Sequence, residues 1–120
     1  MAWTVDARIP LLLVADAAGL ATALAGGPAA VLAEAPAPSV PGAIAVESFD
    51  ASLPHAMACT CCNGRSPAAA ALDRLFLARV RGQCGWFTRV VALASNPVAQ
   101  AQVAAALEGD ALTTARFRPA

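Results

Sequence analysis

Three of the four cysteines of the chain lie within four residues, in the segment Cys59-Thr60-Cys61-Cys62. Thiolates are soft donors, which favour zinc, copper(I) and similar ions. Because neighbouring side chains diverge, two ligands from this cluster together with partners from elsewhere form a more realistic site than three adjacent ones. The cluster therefore predicts a site for a thiophilic metal. Thiol redox chemistry and buried structural thiols are the alternatives.

Residues outside the cluster are candidates for completing such a site. His55, the only histidine, lies shortly before the cluster, and Glu34 follows a predicted strand. Each has an ordinary alternative as a solvated side chain, and the isolated Cys84 is interpreted as a loop thiol. A helix predicted to begin at Ser66 would bring positive backbone potential close to the cluster, which lowers thiol pKa values and favours both metal binding and redox reactivity.

The composition bounds the class of protein. The chain has 120 residues, which is the size of one domain, and it is 58% hydrophobic and 13% charged. These values exclude an intrinsically disordered chain. The formal net charge is zero and only 5% of residues are aromatic, which disfavours a nucleic-acid-binding module. All eight basic residues are arginines, so lysine-dependent phosphate binding and Schiff-base chemistry are excluded.

The long apolar run from Ile9 to Ala33 raises the possibilities of a membrane span and of a secretory signal. Asp16 lies inside the run and Gly26-Gly27-Pro28 interrupts it, and an acidic residue at the centre of a membrane helix is unfavourable by about 2.5–3.5 kcal/mol. Cysteines that lie this close together in the sequence also cannot join distant loops through disulfide bonds, as the cysteines of a small secreted protein do. We therefore predict a cytoplasmic protein without a membrane contact.

The order of the predicted elements indicates an α/β fold. Strands are predicted at residues 9–15, 29–33, 42–46 and 88–94, with a polar loop at 47–54. Helices are predicted from the cap Asp16 through Ala25, from the cap Ser66 through Arg81, and from Asn96 through Leu107. Alternation of this kind predicts a short, mostly parallel sheet with helices packed on it.

Several segments in this order resemble a known family, the CobW-type P-loop GTPases, which are metallochaperones of the CobW/HypB/UreG group. The resemblance rests on the Cys-x-Cys-Cys loop, the helix segments Leu72–Phe76 and Arg79–Gly82, and the strand segment Phe87–Val91. Weaker similarity is found at Ile9–Leu13, Ala30–Glu34 and Ala115–Arg118. The resemblance as a whole covers most of this chain, but only about the first third of a family member. The resemblance implies one domain over residues 1–120 with an incomplete three-layer P-loop-like fold, which lacks the C-terminal part of the family fold.

The family's phosphate-binding motif, Gly-x-x-x-x-Gly-Lys-Thr, falls on residues 16–23 and is degenerate. Asp16 and Ala21 replace its two glycines, Thr22 replaces the lysine, and Ala23 replaces the threonine. The backbone cradle, the positive charge and the magnesium-binding hydroxyl that the motif supplies are thus missing. We therefore predict neither nucleotide binding nor GTPase activity, so that the chain is not an enzyme of this kind.

The features that survive predict a nucleotide-independent, CobW-like metal-handling protein. The resemblance implies Cys59, Cys61 and Cys62 as ligands of zinc or a similar divalent metal, with Glu34 as an addition. His55 is a further candidate only because it lies close to the cluster in the sequence. Its partners would be the metal ion, a metal-receiving client or a full-length CobW-type protein, and a homo-oligomer is also consistent with the thin, alanine-rich core. A thiol redox protein and a non-functional family fragment are the alternatives.

Overall fold

The computed structural model describes residues 6–36, 38–52 and 65–120 of the chain. These residues form five strands and four helices. They are β1 (Ile9–Val14), α1 (Ala17–Ala25), β2 (Ala30–Glu34), β3 (Val46–Phe49), α2 (Pro67–Val80), β4 (Val90–Leu93), α3 (Pro97–Gly109), α4 (Ala111–Arg116) and β5 (Phe117–Pro119).

The strands form one sheet in the order β3-β2-β4-β1-β5, and every pairing is parallel. The register places Leu11 opposite Val90, and Val31 opposite both Val91 and Val46. All strands therefore end at the same edge of the sheet, here called the carboxyl edge, and begin at the opposite, amino edge.

Alternate residues of the central strands enter two separate apolar clusters. Ala30 and Leu32 of β2 pack in the larger cluster with residues of α2 and α3, such as Leu72 and Val103. The intervening β2 residues, Val31 and Ala33, pack with Leu20 of α1. The fold thus has three layers, with α1 on one face and the other helices on the opposite face. This arrangement confirms the predicted α/β, P-loop-like architecture.

Polar caps explain why the helices begin where they do. The side chains of Asp16, Ser66, Asn96 and Asp110 accept hydrogen bonds from backbone N–H groups in the first turns of the four helices. Proline stands in the first turn of α2 and of α3, where its missing N–H costs no helical hydrogen bond. The predicted starts of α1, α2 and α3 are confirmed for this reason.

The third strand differs from its prediction. Residues 42–46 were expected to form it, but β3 covers Val46–Phe49, so that it shares only Val46 with the predicted strand and lies otherwise in the segment predicted to be a polar loop. The strand lies at the edge of the sheet, where polar residues such as Glu47 are ordinary. It is held from outside by Arg74 of α2, whose Nε donates to Glu47 Oε1 at 2.5 Å and whose Nη2 donates to the Ser48 carbonyl at 3.1 Å.

Two short elements at the end of the chain, α4 and β5, were not predicted. β5 has only three residues, and it pairs with β1 from Ile9 to Leu11.

Across the described part of the chain, every helix is too short or too polar to cross a lipid bilayer.

Candidate functional site

The chain direction reverses across the sheet between β1 and β4, which are neighbours. From β1 the chain crosses β4 to reach β2, whereas from β4 it crosses β1 to reach β5. In open parallel sheets, ligands bind in the crevice that such a reversal opens at the carboxyl edge. The structure has a crevice of about 380 Å³ there, lined by residues that include Asp16, Glu34 and Ser95.

A second crevice of about 480 Å³ adjoins the first on the β3 side. It is lined by Glu34, Asp50, Ser52 and Asn96 together with three apolar residues. Glu34 therefore lines both crevices, at the position where β2 ends and pairs with Phe49 of β3. Its role as a further metal ligand, which the sequence suggested, stays a prediction.

The Glu34 carboxylate is fixed by the turn that follows β4. Its Oε2 accepts hydrogen bonds from the backbone N–H groups of Ser95, at 3.1 Å, and of Asn96, at 3.3 Å. Two main-chain donors therefore bind the Glu34 side chain, which is partly exposed. Both bonds end on one oxygen, so Oε1 is the atom with which Glu34 would bind a cation.

Asp50 is a residue that the sequence reasoning did not single out. Its Oδ1 accepts from the backbone N–H of Ser52 at 3.0 Å and from the Ser52 hydroxyl at 2.5 Å. These hydrogen bonds lower the pKa of Asp50, so it is a carboxylate at neutral pH. The spacing Asp-x-Ser after a strand, typical of an Asx turn, is the sequence signal for this arrangement.

Residues 17–23 of the segment that was aligned with the phosphate-binding motif form the start of α1, and Asp16 caps this helix. Only Ala15 and Asp16 separate β1 from α1. Asp16 Oδ1 accepts from the backbone N–H of Gly19 at 2.7 Å, so a carboxylate occupies the position where a phosphate would meet the helix N-terminus. Thr22, Ala21 and Ala23 all lie within α1 and do not line the crevice.

The predicted metal ligands Cys59, Cys61 and Cys62, and the candidate ligand His55, lie outside the described residues. Their flanking residues are described. Ser52, before the segment, lines the second crevice, and Arg65, after it, precedes the helix α2.

The contacts of α2 show that this helix starts on the carboxyl side of the sheet. Its last turns contact the amino edge, because the rings of Phe76 and Phe117 meet at 6.3 Å and Arg79 lies 5.4 Å from the Phe87 ring. Phe117 begins β5, and Phe87 precedes β4. The helix therefore begins toward the opposite, carboxyl edge.

Cys84 lies in the loop between α2 and β4, as predicted. It is a free cysteine that packs against the larger apolar cluster. Within the described residues, no group of three or more His, Cys, Asp and Glu side chains could hold a metal ion.

Comparison with known proteins identifies no relative of this chain. No family model matches the chain, and no curated protein or solved structure is significantly similar to it. The relation to CobW-type proteins therefore stays a prediction that rests on the sequence motifs.

Proposed function

We propose that this protein handles a thiophilic metal ion, zinc or one of similar chemistry, without using a nucleotide. The proposed ligands are Cys59, Cys61 and Cys62, and Glu34 is the proposed additional ligand. The observation that carries the proposal is the position of Ser52, the last described residue before the cysteines, which lines the same crevice as Glu34.

The charges of the carboxyl edge favour a cation. Asp16, Glu34 and Asp50 line its two crevices, and no arginine does. The N-terminus of α2 lies on the same side, where its positive potential favours the thiolate form of a nearby cysteine. Thiolates supply the soft donors that the carboxylates lack, and together they form a donor set that suits zinc.

The same charges disfavour a nucleotide. Asp16 caps α1 with its carboxylate, and a phosphate at this edge would face acidic side chains without a lysine. We therefore propose that the chain binds no GTP and is not a GTPase. Its role would be to hold, deliver or sense the ion in the cytoplasm, with a metal-receiving client or a full-length CobW-type protein as partner.

The decisive experiment measures bound metal in reduced full-length protein. After removal of metal with a chelator, zinc is titrated in competition with a chromophoric indicator. We expect about one equivalent of tightly bound zinc, lost when Cys59, Cys61 and Cys62 are all changed to Ser. Glu34→Gln should weaken binding about tenfold or more if the carboxylate is a ligand.

Cys84→Ser is the matched control, because it removes the thiol that lies outside the segment and should leave the stoichiometry unchanged. A triple variant that still binds zinc like the wild type would contradict the proposal. Rapid disulfide formation in a glutathione couple, without zinc binding, would favour thiol redox chemistry instead. GTP titrated in the presence of magnesium should produce no binding signal, and micromolar affinity would overturn the nucleotide-independent part of the proposal.

A further inference from the structure

The amino edge of the molecule carries a depression of its own, opposite in charge to the crevices of the carboxyl edge. It has a volume of about 630 Å³, and three arginines and one aspartate, Arg8, Arg79, Arg116 and Asp6, lie in its wall. The wall therefore has a formal charge of +2, although the whole chain has none. Phe76 and Trp86 supply its aromatic surface.

Two of the three arginines already have carboxylate partners. Arg8 binds Asp6 through two nitrogens, at 3.0 and 2.9 Å. Arg116 binds Asp73 and lies over the Phe76 ring, with its Cζ atom 4.3 Å from the ring centroid. These pairs hold the wall in place and leave Arg79 as the cation available to a ligand.

Arg79 has no hydrogen-bond acceptor among the residues that the structure describes. Its Nε is buried without a partner, and its Cζ lies 3.6 Å from the centroid of the Trp86 ring. Burial lowers the pKa of Arg79, in the direction expected for a desolvated cation that no carboxylate stabilises. Stacking covers the face of the guanidinium, but its N–H donors lie in the plane of the group and still require an acceptor.

Trp86 is the other half of this arrangement. It is 63% exposed, which is high for a large aromatic side chain, and the stacked Arg79 fixes one side of it. An arginine fork beside an exposed indole suits an oxyanion attached to an apolar body: the oxyanion meets the fork and the apolar body meets the indole.

We propose that the amino-edge depression is a binding site for a small ligand that carries a carboxylate or phosphate on an apolar or aromatic body. Arg79 would bind the oxyanion, and Trp86 and Phe76 would contact the apolar body. This site lies at the edge opposite to the proposed metal site and does not depend on it.

The test uses phenyl phosphate and benzoate as probes and neutral benzamide as the control ligand. Binding is followed by NMR through the indole N–H signal of Trp86, assigned with a Trp86→Phe variant. We expect saturable shifts with dissociation constants on the order of 1 mM for probes of this size, and none with benzamide. A phosphate preference and a carboxylate preference would both support the proposal and would identify the oxyanion.

Arg79→Gln should weaken the binding of the better probe about tenfold or more. Arg81→Gln is the matched control, since Arg81 is exposed at the end of the same helix and does not line the depression. Far-UV circular dichroism checks that each variant is folded. If Arg79→Gln does not fold, Arg79→Lys replaces it, because it keeps the charge and loses the planar fork.

Three results would overturn the proposal. The first is the absence of a saturable shift with both anionic probes, and the second is equal binding of benzamide, which would show an apolar surface only. The third is a loss of binding in Arg79→Gln that is no greater than the loss in Arg81→Gln. If the folded Arg79→Lys protein is used instead, unchanged binding has the same meaning.

Discussion

Replacing Phe87 with Ala should destabilise the protein by about 3–5 kcal/mol. The ring is fully buried in the larger apolar cluster, between the strands and α2. Many of the other residues in this cluster are alanines, which bury little area, so the few large side chains supply a large share of the hydrophobic stabilisation. A domain of this length has a free energy of unfolding of only about 6–18 kcal/mol. The loss is measured by urea unfolding followed by far-UV circular dichroism.

The neighbouring residue provides the control for this substitution. Trp86 is larger than Phe87 but 63% exposed, and its main contact is the stacked Arg79. Trp86→Ala should therefore cost about 1 kcal/mol or less. Equal losses for the two variants would show that burial at this position does not determine stability.

Asp110→Asn should destabilise the protein by about 2 kcal/mol at neutral pH. The Asp110 carboxylate accepts from Arg65 Nε at 3.0 Å and from Arg65 Nη2 at 2.8 Å, which is a bidentate pair. It also accepts from the backbone N–H and the hydroxyl of Thr113, at 3.0 and 2.7 Å, and so caps α4. The amide of Asn keeps the shape but removes the charge that strengthens all four bonds.

The contribution of Asp110 to the free energy of unfolding should decrease at acidic pH. Burial alone would raise the pKa of this carboxyl, but the hydrogen bonds from Arg65 and Thr113 outweigh it and hold the pKa below its ordinary value. A lowered folded-state pKa means that the stabilisation is complete above the unfolded-state pKa, about 3.9, and is lost as the pH falls through the folded-state value. The difference in unfolding free energy between wild type and Asp110→Asn should therefore shrink below about pH 4.

Glu108→Gln is the matched control for that series. It removes one negative charge from an exposed position in α3, near Asp110 in the chain, and should change stability by about 0.5 kcal/mol or less. A difference between wild type and Asp110→Asn that does not change from pH 7 to pH 3 would contradict the role assigned to the Arg65 pair.

The sequence predicted those elements that carry strong local signals. Ser66-Pro67 and Asn96-Pro97 mark helix starts because a capping side chain and a proline at the first helical position fit only there. The strands β1 and β4 are continuous apolar runs, which is the pattern of a strand covered on both faces. β4 fits that pattern, whereas Leu12 and Leu13 of β1 are exposed. Together these signals were sufficient for the parallel, three-layer architecture.

The elements that were missed depend on tertiary contacts. β3 has polar residues at an edge, and its register is set by pairing with β2 and by Arg74, neither of which appears in a hydrophobic pattern. β5 is defined by three residues that pair with β1. Its preceding helix, α4, depends on Asp110, whose capping role is visible in the sequence but whose partner Arg65 is 45 residues away.

The candidate site was predictable in its residue types and only partly in its geometry. Glu34 was identified because it follows a strand, but its bonds to the N–H groups of Ser95 and Asn96 depend on the pairing of β2 with β4. Arg79 and Trp86 gave no signal, because their stacking joins the end of a helix to a loop.

The central claim, that thiolates of the cysteine segment bind the metal, is tested most directly by X-ray absorption spectroscopy of the zinc-loaded protein. The spectrum counts the sulfur atoms around the ion, and Cys84→Ser protein serves as the sample so that only the segment's thiols remain. We expect two or more sulfur ligands at about 2.3 Å from zinc. A coordination shell with only nitrogen and oxygen, at about 2.0–2.2 Å and without sulfur, would contradict the account.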